Sequence, residues 1–425
     1  MNRRAFLKTG GAAAAALGTL TVARAAHAAG SDVLRIGLVG CGGRGSGAAA
    51  NALQADPNSK LVALADAFAD RLQGSLASLK GRFGERVAVD PQRCFTGFDA
   101  YQKLLASDVD VVLLATSPHF RPLHLRACVD AGKHVFCEKP VAVDAPGVRS
   151  VLATCEEAAK KKLNIVSGLC WRYDSGVRET MQRVLDGAIG DIVAIQETYN
   201  TGTLWHHGRK PDWTEMEYQM RNWYYFTWLC GDFNVEQHVH SLDKAAWAMR
   251  DEPPLRAWGL GGRQVRSEPK FGEIYDHHAV VYEYAGGVRV YSYCRQMAGC
   301  SQDTSDIFLG TRGRADILRN RIDGPTPWRY TGPKSSMYDV EHQELFAAIR
   351  AGKVINNGLY MARSTMLAIL GRMATYSGQS IEWQAACNSE RALAPDRYAM
   401  DGAPPTLPDR EGRYPVAMPG VTKVI

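Results

Sequence analysis

Two short strings and one spaced pair define the chemistry open to this sequence. The first string is Gly40-Cys41-Gly42-Gly43-Arg44-Gly45, the G-x-G-x-x-G spacing. Gly40 permits a tight turn, Gly42 lets backbone approach a pyrophosphate, and Gly45 lets a following helix pack against the strand before it. Gly43 and Arg44 open that helix, whose first N–H groups face phosphate. Asp66 lies 21 residues beyond Gly45, where a carboxylate accepts from ribose hydroxyls and repels a 2′-phosphate. This favours NAD, with NADP left open through Arg71. The second string is Cys137-Glu138-Lys139-Pro140. A lysine beside a nicotinamide can move the proton that accompanies a hydride. Glu236 and His240 are four apart. On one helix they share a face, where a carboxylate and an imidazole can bind a hydroxyl and relay its proton. Taken singly, Lys139 also reads as a loop lysine and His240 as a core histidine; their joint presence favours a site.

These residues need elements to position them. Residues 33–40, 61–66, 109–116, 134–137 and 164–168 are short apolar runs, the pattern of buried parallel strands. Helical stretches at 46–53, 68–83, 98–105, 122–131 and 145–161 alternate with them. The fold class is therefore α/β: a doubly wound parallel sheet over 31–170, with Lys139 just past a strand's carboxyl end. From 171 to 388 the pattern becomes α+β with a mostly antiparallel open sheet. Strands are expected at 192–199, 306–310 and 314–318, and a hairpin runs over 279–294 through Ala285-Gly286-Gly287. Residues 232–249 read as a single helix, and 341–351 and 361–377 as closing helices. The run Trp223, Tyr224, Tyr225, Phe226 and Trp228 reads first as core and second as a stacking surface for a sugar ring. The Pro-rich tail 389–425 reads as an arm on the surface or on a partner subunit.

Composition narrows the partners. Formal net charge is +6, and four of the basic residues, Arg3, Arg4, Lys8 and Arg24, fall within the first 28 residues, which hold no acid. The small remaining excess gives no support for nucleic acid or an anionic membrane as partner. Arg3-Arg4 followed by Phe6-Leu7-Lys8, an Ala/Gly-rich apolar run and Ala26-His27-Ala28 together predict a twin-arginine signal peptide over 1–28. The apolar run is too short for a permanent membrane anchor. The expected location is the periplasm, reached in the folded state through the twin-arginine export machinery. Because that compartment supplies little free dinucleotide, the cofactor is expected to be tightly bound. The ten cysteines show no CxxC and no Cys/His cluster at zinc spacing, so no metal is expected. Cys294 and Cys300 are close enough in sequence to pair.

With these residues in view the chain resembles the glucose–fructose oxidoreductase / inositol dehydrogenase (Gfo/Idh/MocA) family over about residues 33–385. The resemblance rests on the glycine string, on Ala115-Thr116-Ser117-Pro118, on residues 131–140 ending in Glu138-Lys139-Pro140, and on residues 231–243. It implies that Thr116, Ser117, Glu138 and Lys139 line the cofactor. It implies that Lys139 and His240 serve proton transfer and substrate binding, with Glu236 where the family carries aspartate. It also implies that Arg172 and Tyr173 line the substrate pocket beside Trp223 and Tyr224, and that the chain forms a homodimer or homotetramer. The expected activity is hydride transfer between a ring hydroxyl of a sugar, glycoside or cyclic polyol and the bound nicotinamide. The alternative is an NAD-dependent glycosidase that works by transient oxidation, elimination and re-reduction. A sugar-binding sensor on a dead dehydrogenase fold is disfavoured by Lys139 and His240 together.

Overall fold

A computed structural model describes residues 33–425; the expected signal peptide, 1–28, lies outside the described residues. Two sheets carry the fold. The first comprises β1 (Leu34–Val39), β2 (Ser59–Asp66), β3 (Cys94–Thr96), β4 (Val111–Leu114), β5 (His134–Cys137) and β6 (Ile165–Ser167). All are parallel, in the order β3-β2-β1-β4-β5-β6. Ile36, Leu38, Val112, Leu113 and Phe136 are fully buried. Burial on both faces is why these strands read as unbroken apolar runs. Helices α1 (Gly43–Ala55), α2 (Ala69–Phe83), α3 (Ala100–Leu105), α4 (Arg121–Asp130) and α5 (Ala145–Lys160) connect them. The strand order reverses between β1 and β4, which makes a ligand crevice at their carboxyl ends.

The second sheet has nine strands in the order β14-β13-β12-β11-β7-β10-β9-β8-β15. They are β7 (Ile192–Thr201), β8 (Arg256–Gly262), β9 (His277–Glu283), β10 (Arg289–Gln296), β11 (Asp303–Gly310), β12 (Arg314–Asp316), β13 (Arg321–Asp323), β14 (Trp328–Arg329) and β15 (Ile381–Glu382). Only β7 and β10 pair in parallel. The β9–β10 hairpin turns where the sequence predicts, with Gly286 and Gly287 at φ 77° and 83°. Among the described residues, no helix is long and apolar enough to cross a membrane.

Three features depart from the expectation or extend it. Residues 232–249 are not one helix. A short helix α6 (Phe233–Glu236) breaks before α7 (Val239–Ala248). The His238 N–H reaches back to the Phe233 carbonyl at 3.1 Å, a widened turn, while the His238 ring is pinned to Ser292 Oγ at 2.6 Å on β10. Tertiary anchoring of that ring outweighs continuous helix. The helix α8 (Met337–Arg350) packs back against α1, and its Leu345 and Phe346 join the core that contains Ile36 and Phe136. The Rossmann core is therefore completed by residues far outside 31–170. Lastly, the tail lies along the body of the same chain. The Gln219 side chain donates to the Thr406 carbonyl at 2.7 Å, the Tyr275 hydroxyl donates to the Ala417 carbonyl at 2.8 Å, and Tyr414 is buried. Cys294 and Cys300 are both free thiols, and Cys294 faces the Asn234 side-chain oxygen at 3.5 Å instead.

Candidate active site

The segments after the carboxyl ends of β1, β2, β3 and β4 meet at a cleft of about 470 Å³. Gly40 has φ +98°, and a Cβ there would sit 2.6 Å from the Thr116 nitrogen. A Cβ on Gly45 would lie 1.8 Å from the Gly40 carbonyl oxygen, so only glycine lets α1 start this close to β1. A Cβ on Gly42 would meet nothing within 4 Å, because Gly42 faces open cleft. Gly42 caps α1 without a side-chain bond, so the first-turn N–H groups are presented to that cleft. This is a cradle for phosphate built from backbone. Gly43, Arg44, Thr116 and Ser117 line the same cleft, together with Asp66. The Asp66 carboxylate accepts from the Cys41 N–H at 2.6 Å and the Phe68 N–H at 2.9 Å. Burial raises its pKa, opposed by those two donors and by Arg71.

Arg44 serves a second purpose. Its guanidinium turns toward Glu138, with Nε 2.6 Å from Oε1, and approaches the fully buried Glu341 at 3.8 Å. Burial and the neighbouring Glu138 push the Glu341 carboxyl well up. Glu138 is itself buried, and its N–H donates to the Leu114 carbonyl at 3.0 Å, which fixes the strand end that carries Lys139.

The Lys139–Pro140 bond is cis. Lys139 Nζ donates to the Glu236 carbonyl at 2.5 Å and to Glu236 Oε1 at 2.9 Å. Both side chains keep slight exposure, 13% and 14%. An ammonium has three donors, and two are used here, leaving one for a substrate oxygen. His240 stands on α7 behind this pair. Burial, then the charges of Lys139, Lys244 and Arg44, hold its pKa well below 6.5. The imidazole is therefore neutral near pH 7 and carries a lone pair able to accept a proton. Lys244 anchors the His240 backbone: Nζ donates to the His240 carbonyl at 2.6 Å and pairs with the fully buried Asp306 at 3.1 Å.

The structure brings Lys139, Glu236 and His240 into one corner, although the break in the helix removes the shared face on which the sequence joined the last two. Four other expected residues stand differently. Arg172 pairs with Asp243 at 2.9 Å and Asp251 at 2.7 Å, and its guanidinium lies 3.9 Å from the centre of the Tyr360 ring. Its donors are committed to those carboxylates. The buried Tyr173 hydroxyl donates to Asn357 Oδ1 at 2.8 Å. The buried Tyr224 hydroxyl accepts from Gln296 at 2.9 Å. Trp223, only half-buried, lines the dinucleotide cleft. Sequence reasoning missed Trp205, His207 and Arg221, which line the cleft from the second domain. Arg71, through which the sequence leaves NADP open, meets His207 Nε2 with its guanidinium at 2.9 Å. The available signal was Trp205-His206-His207, an aromatic and basic run in a segment with neither helical nor strand period.

Comparison with known proteins agrees with this geometry. Residues 34–165 match the GFO_IDH_MocA model, described as an oxidoreductase family with an NAD-binding Rossmann fold. An inositol 2-dehydrogenase of Rhizobium meliloti is 26% identical over 344 residues, 77% of this chain and 93% of that protein. Inositol 2-dehydrogenase 3 of Saccharopolyspora erythraea is 26% identical over 257 residues, 60% of this chain and 65% of that protein, just under two thirds of its length. Among solved structures, myo-inositol dehydrogenase from Lactobacillus casei in complex with NAD(H) and myo-inositol superposes with a TM-score of 0.61 at 14% identity, covering 82% of this chain and 96% of that one. At that identity the likeness carries the fold. Residues 34–165, from β1 to β6 and including the backbone cradle at Gly40–Gly45, thus match the NAD-binding Rossmann domain of the Gfo/Idh/MocA oxidoreductase family.

Proposed function

We propose that the protein transfers a hydride between a ring hydroxyl of a cyclic polyol, sugar or glycoside and a nicotinamide cofactor that stays bound between turnovers. The observation that carries this reading is the Lys139–Glu236 pair beside a neutral His240, at the strand ends that hold the dinucleotide. The cofactor supplies the hydride acceptor. The residues of the chain supply the rest. The free N–H of Lys139 holds the hydroxyl oxygen and stabilises negative charge as it develops there. The His240 lone pair takes the hydroxyl proton. Glu236 fixes the Lys139 ammonium and keeps one carboxylate oxygen for a neighbouring hydroxyl. In the reverse direction His240 returns the proton and Lys139 orients a carbonyl. The inositol dehydrogenases among the relatives support a polyol or sugar as substrate.

A retained cofactor needs a second substrate to restore it, so the proposed cycle is ping-pong between two carbohydrates. Export through the twin-arginine route to the periplasm belongs to the same proposal and rests on Arg3-Arg4 and the apolar run after them. So does assembly into a dimer or tetramer. Its support is the sheet surface that leaves Leu260, Leu309 and Tyr293 79%, 40% and 40% exposed, apolar area of the kind that marks interfaces.

The test is a spectrum of the purified protein with inositols, aldoses and aryl glycosides, read at 340 nm together with released aglycone. Stoichiometric reduction of bound cofactor without aglycone release is expected. Catalytic aglycone release without net reduction would replace this reading with the glycosidase one.

A further inference from the structure

We infer that residues 204–223 of the second domain form part of the dinucleotide site and clasp its adenosine end. The inference rests on the reading that the cleft holds the dinucleotide. Asp66 marks the ribose position in such a crevice. Part of the wall of this cleft is not made by the Rossmann domain. Trp205, His207, Met220, Arg221 and Trp223 line that side of the cleft. They come from the loop after β7 and from the helix Glu215–Arg221 with the turn that follows it.

Two polar contacts fasten this segment to α2. Arg221 binds Asp70 through both terminal nitrogens, at 3.0 and 3.2 Å. His207 Nε2 meets the Arg71 guanidinium at 2.9 Å. The Arg221 guanidinium also lies 4.0 Å from the centre of the Phe68 ring, two residues past Asp66. Within the segment, the His207 N–H donates to Asn222 Oδ1 at 2.8 Å, and Asn222 returns a bond to the His207 carbonyl at 3.0 Å. The loop is thus tied to the end of its own helix before it reaches α2. The arrangement puts an aromatic and cationic wall across from the ribose carboxylate, held by contacts at the cleft rim. Burial and the flanking Arg71 and Arg221 lower the His207 pKa, so the ring meets Arg71 as a neutral partner.

The consequence is kinetic. A dinucleotide held under this segment leaves only when the Arg221–Asp70 and Arg71–His207 contacts part. Release is then slower than the groove alone dictates, because contacts made only in the closed form act on the off-rate. This gives a structural basis for a cofactor that is retained between turnovers.

The test uses the full folded chain. NADH is loaded and an excess of NAD is added, and loss of bound NADH fluorescence is followed in wild type, Asp70→Asn, His207→Ala and the double variant. Asp70 is 62% exposed in the first turn of α2, so its replacement leaves the core untouched. Each single variant is expected to release NADH about fivefold faster, and the double variant faster still, as for exposed pairs of modest strength. Release rates equal to wild type in all variants would overturn the clasp while leaving the dinucleotide reading intact. A wild-type protein that binds no NADH would overturn both.

Discussion

The glycine cradle, proposed to hold the dinucleotide, and the Lys139–Glu236 corner, proposed to move the proton, are built in opposite ways. The cradle is backbone. Gly40, Gly42 and Gly45 matter because a Cβ would clash or fill space, and the groups that face phosphate are N–H groups at the start of α1. The corner is side chain, and every member is held by charge. Lys139 is gripped by Glu236, His240 is backed by Lys244 and Asp306, and Glu138 is gripped by Arg44. A backbone site tolerates change at most positions and fails at a few. A charged corner depends on the sign and reach of each group, because a buried charge without its partner is costly. The difference teaches where damage should separate binding from chemistry.

The sharpest break is Gly45→Val. Its Cβ position overlaps the Gly40 carbonyl, so the turn must open. Loss of about 3 kcal/mol or more is expected, read by thermal unfolding, with loss of dinucleotide binding in the same protein. In the corner, Lys139→Met should leave dinucleotide affinity near wild type by fluorescence titration while lowering kcat by about 10³-fold, the scale of a lost acid–base and charge-stabilising group. Equal loss of both properties would erase the distinction between the two regions.

Arg172→Ala sharpens the comparison at the margin. With its pairs to Asp243 and Asp251 removed, two carboxylates are left uncompensated, one of them fully buried. The expected cost is about 3 kcal/mol of stability, with KM for the polyol within about twofold of wild type. A large rise in KM without loss of stability would return Arg172 to the substrate pocket.

The smallest effects come from pH. Burial holds His240 well below 6.5, so its contribution to kcat/KM should be flat from pH 6.5 to 8 and decline only on the far acid side. Stability follows the same sign. Burial lowers His119 to about 4 and His124, His238 and His342 to about 3. Below pH 6.5 the unfolded chain binds protons that the folded one excludes. Each such histidine then removes about 1.4 kcal/mol of stability per pH unit, until the pH nears its folded value. The stability these neutral rings contribute is complete above pH 6.5. Titration of the individual histidine ring resonances by NMR from pH 7.5 to 5.5 checks it; rings that titrate near 6.5 would mean that they are open to solvent.

What the sequence by itself determined is local and periodic. Apolar runs ending in Gly40 and Asp66 specify strand, turn and a carboxylate at the second strand's end, because those features need only neighbours along the chain. Lys139 follows the same logic: it lies just past the end of β5, and the strand puts it at the crevice. The tertiary structure alone decided the partners. Residues 232–249 have helical period throughout, yet Ser292 on a strand, 54 residues along the chain from His238, takes the His238 ring where the helix breaks. Arg172 has the right type and place for a hydroxyl ligand, but Asp243 and Asp251 arrive from another element and consume its donors. Trp205 and His207 carry no period, and only folding sets them across from Asp66. Periodicity encodes which way a side chain faces. It does not encode which distant charge or ring will be there to meet it.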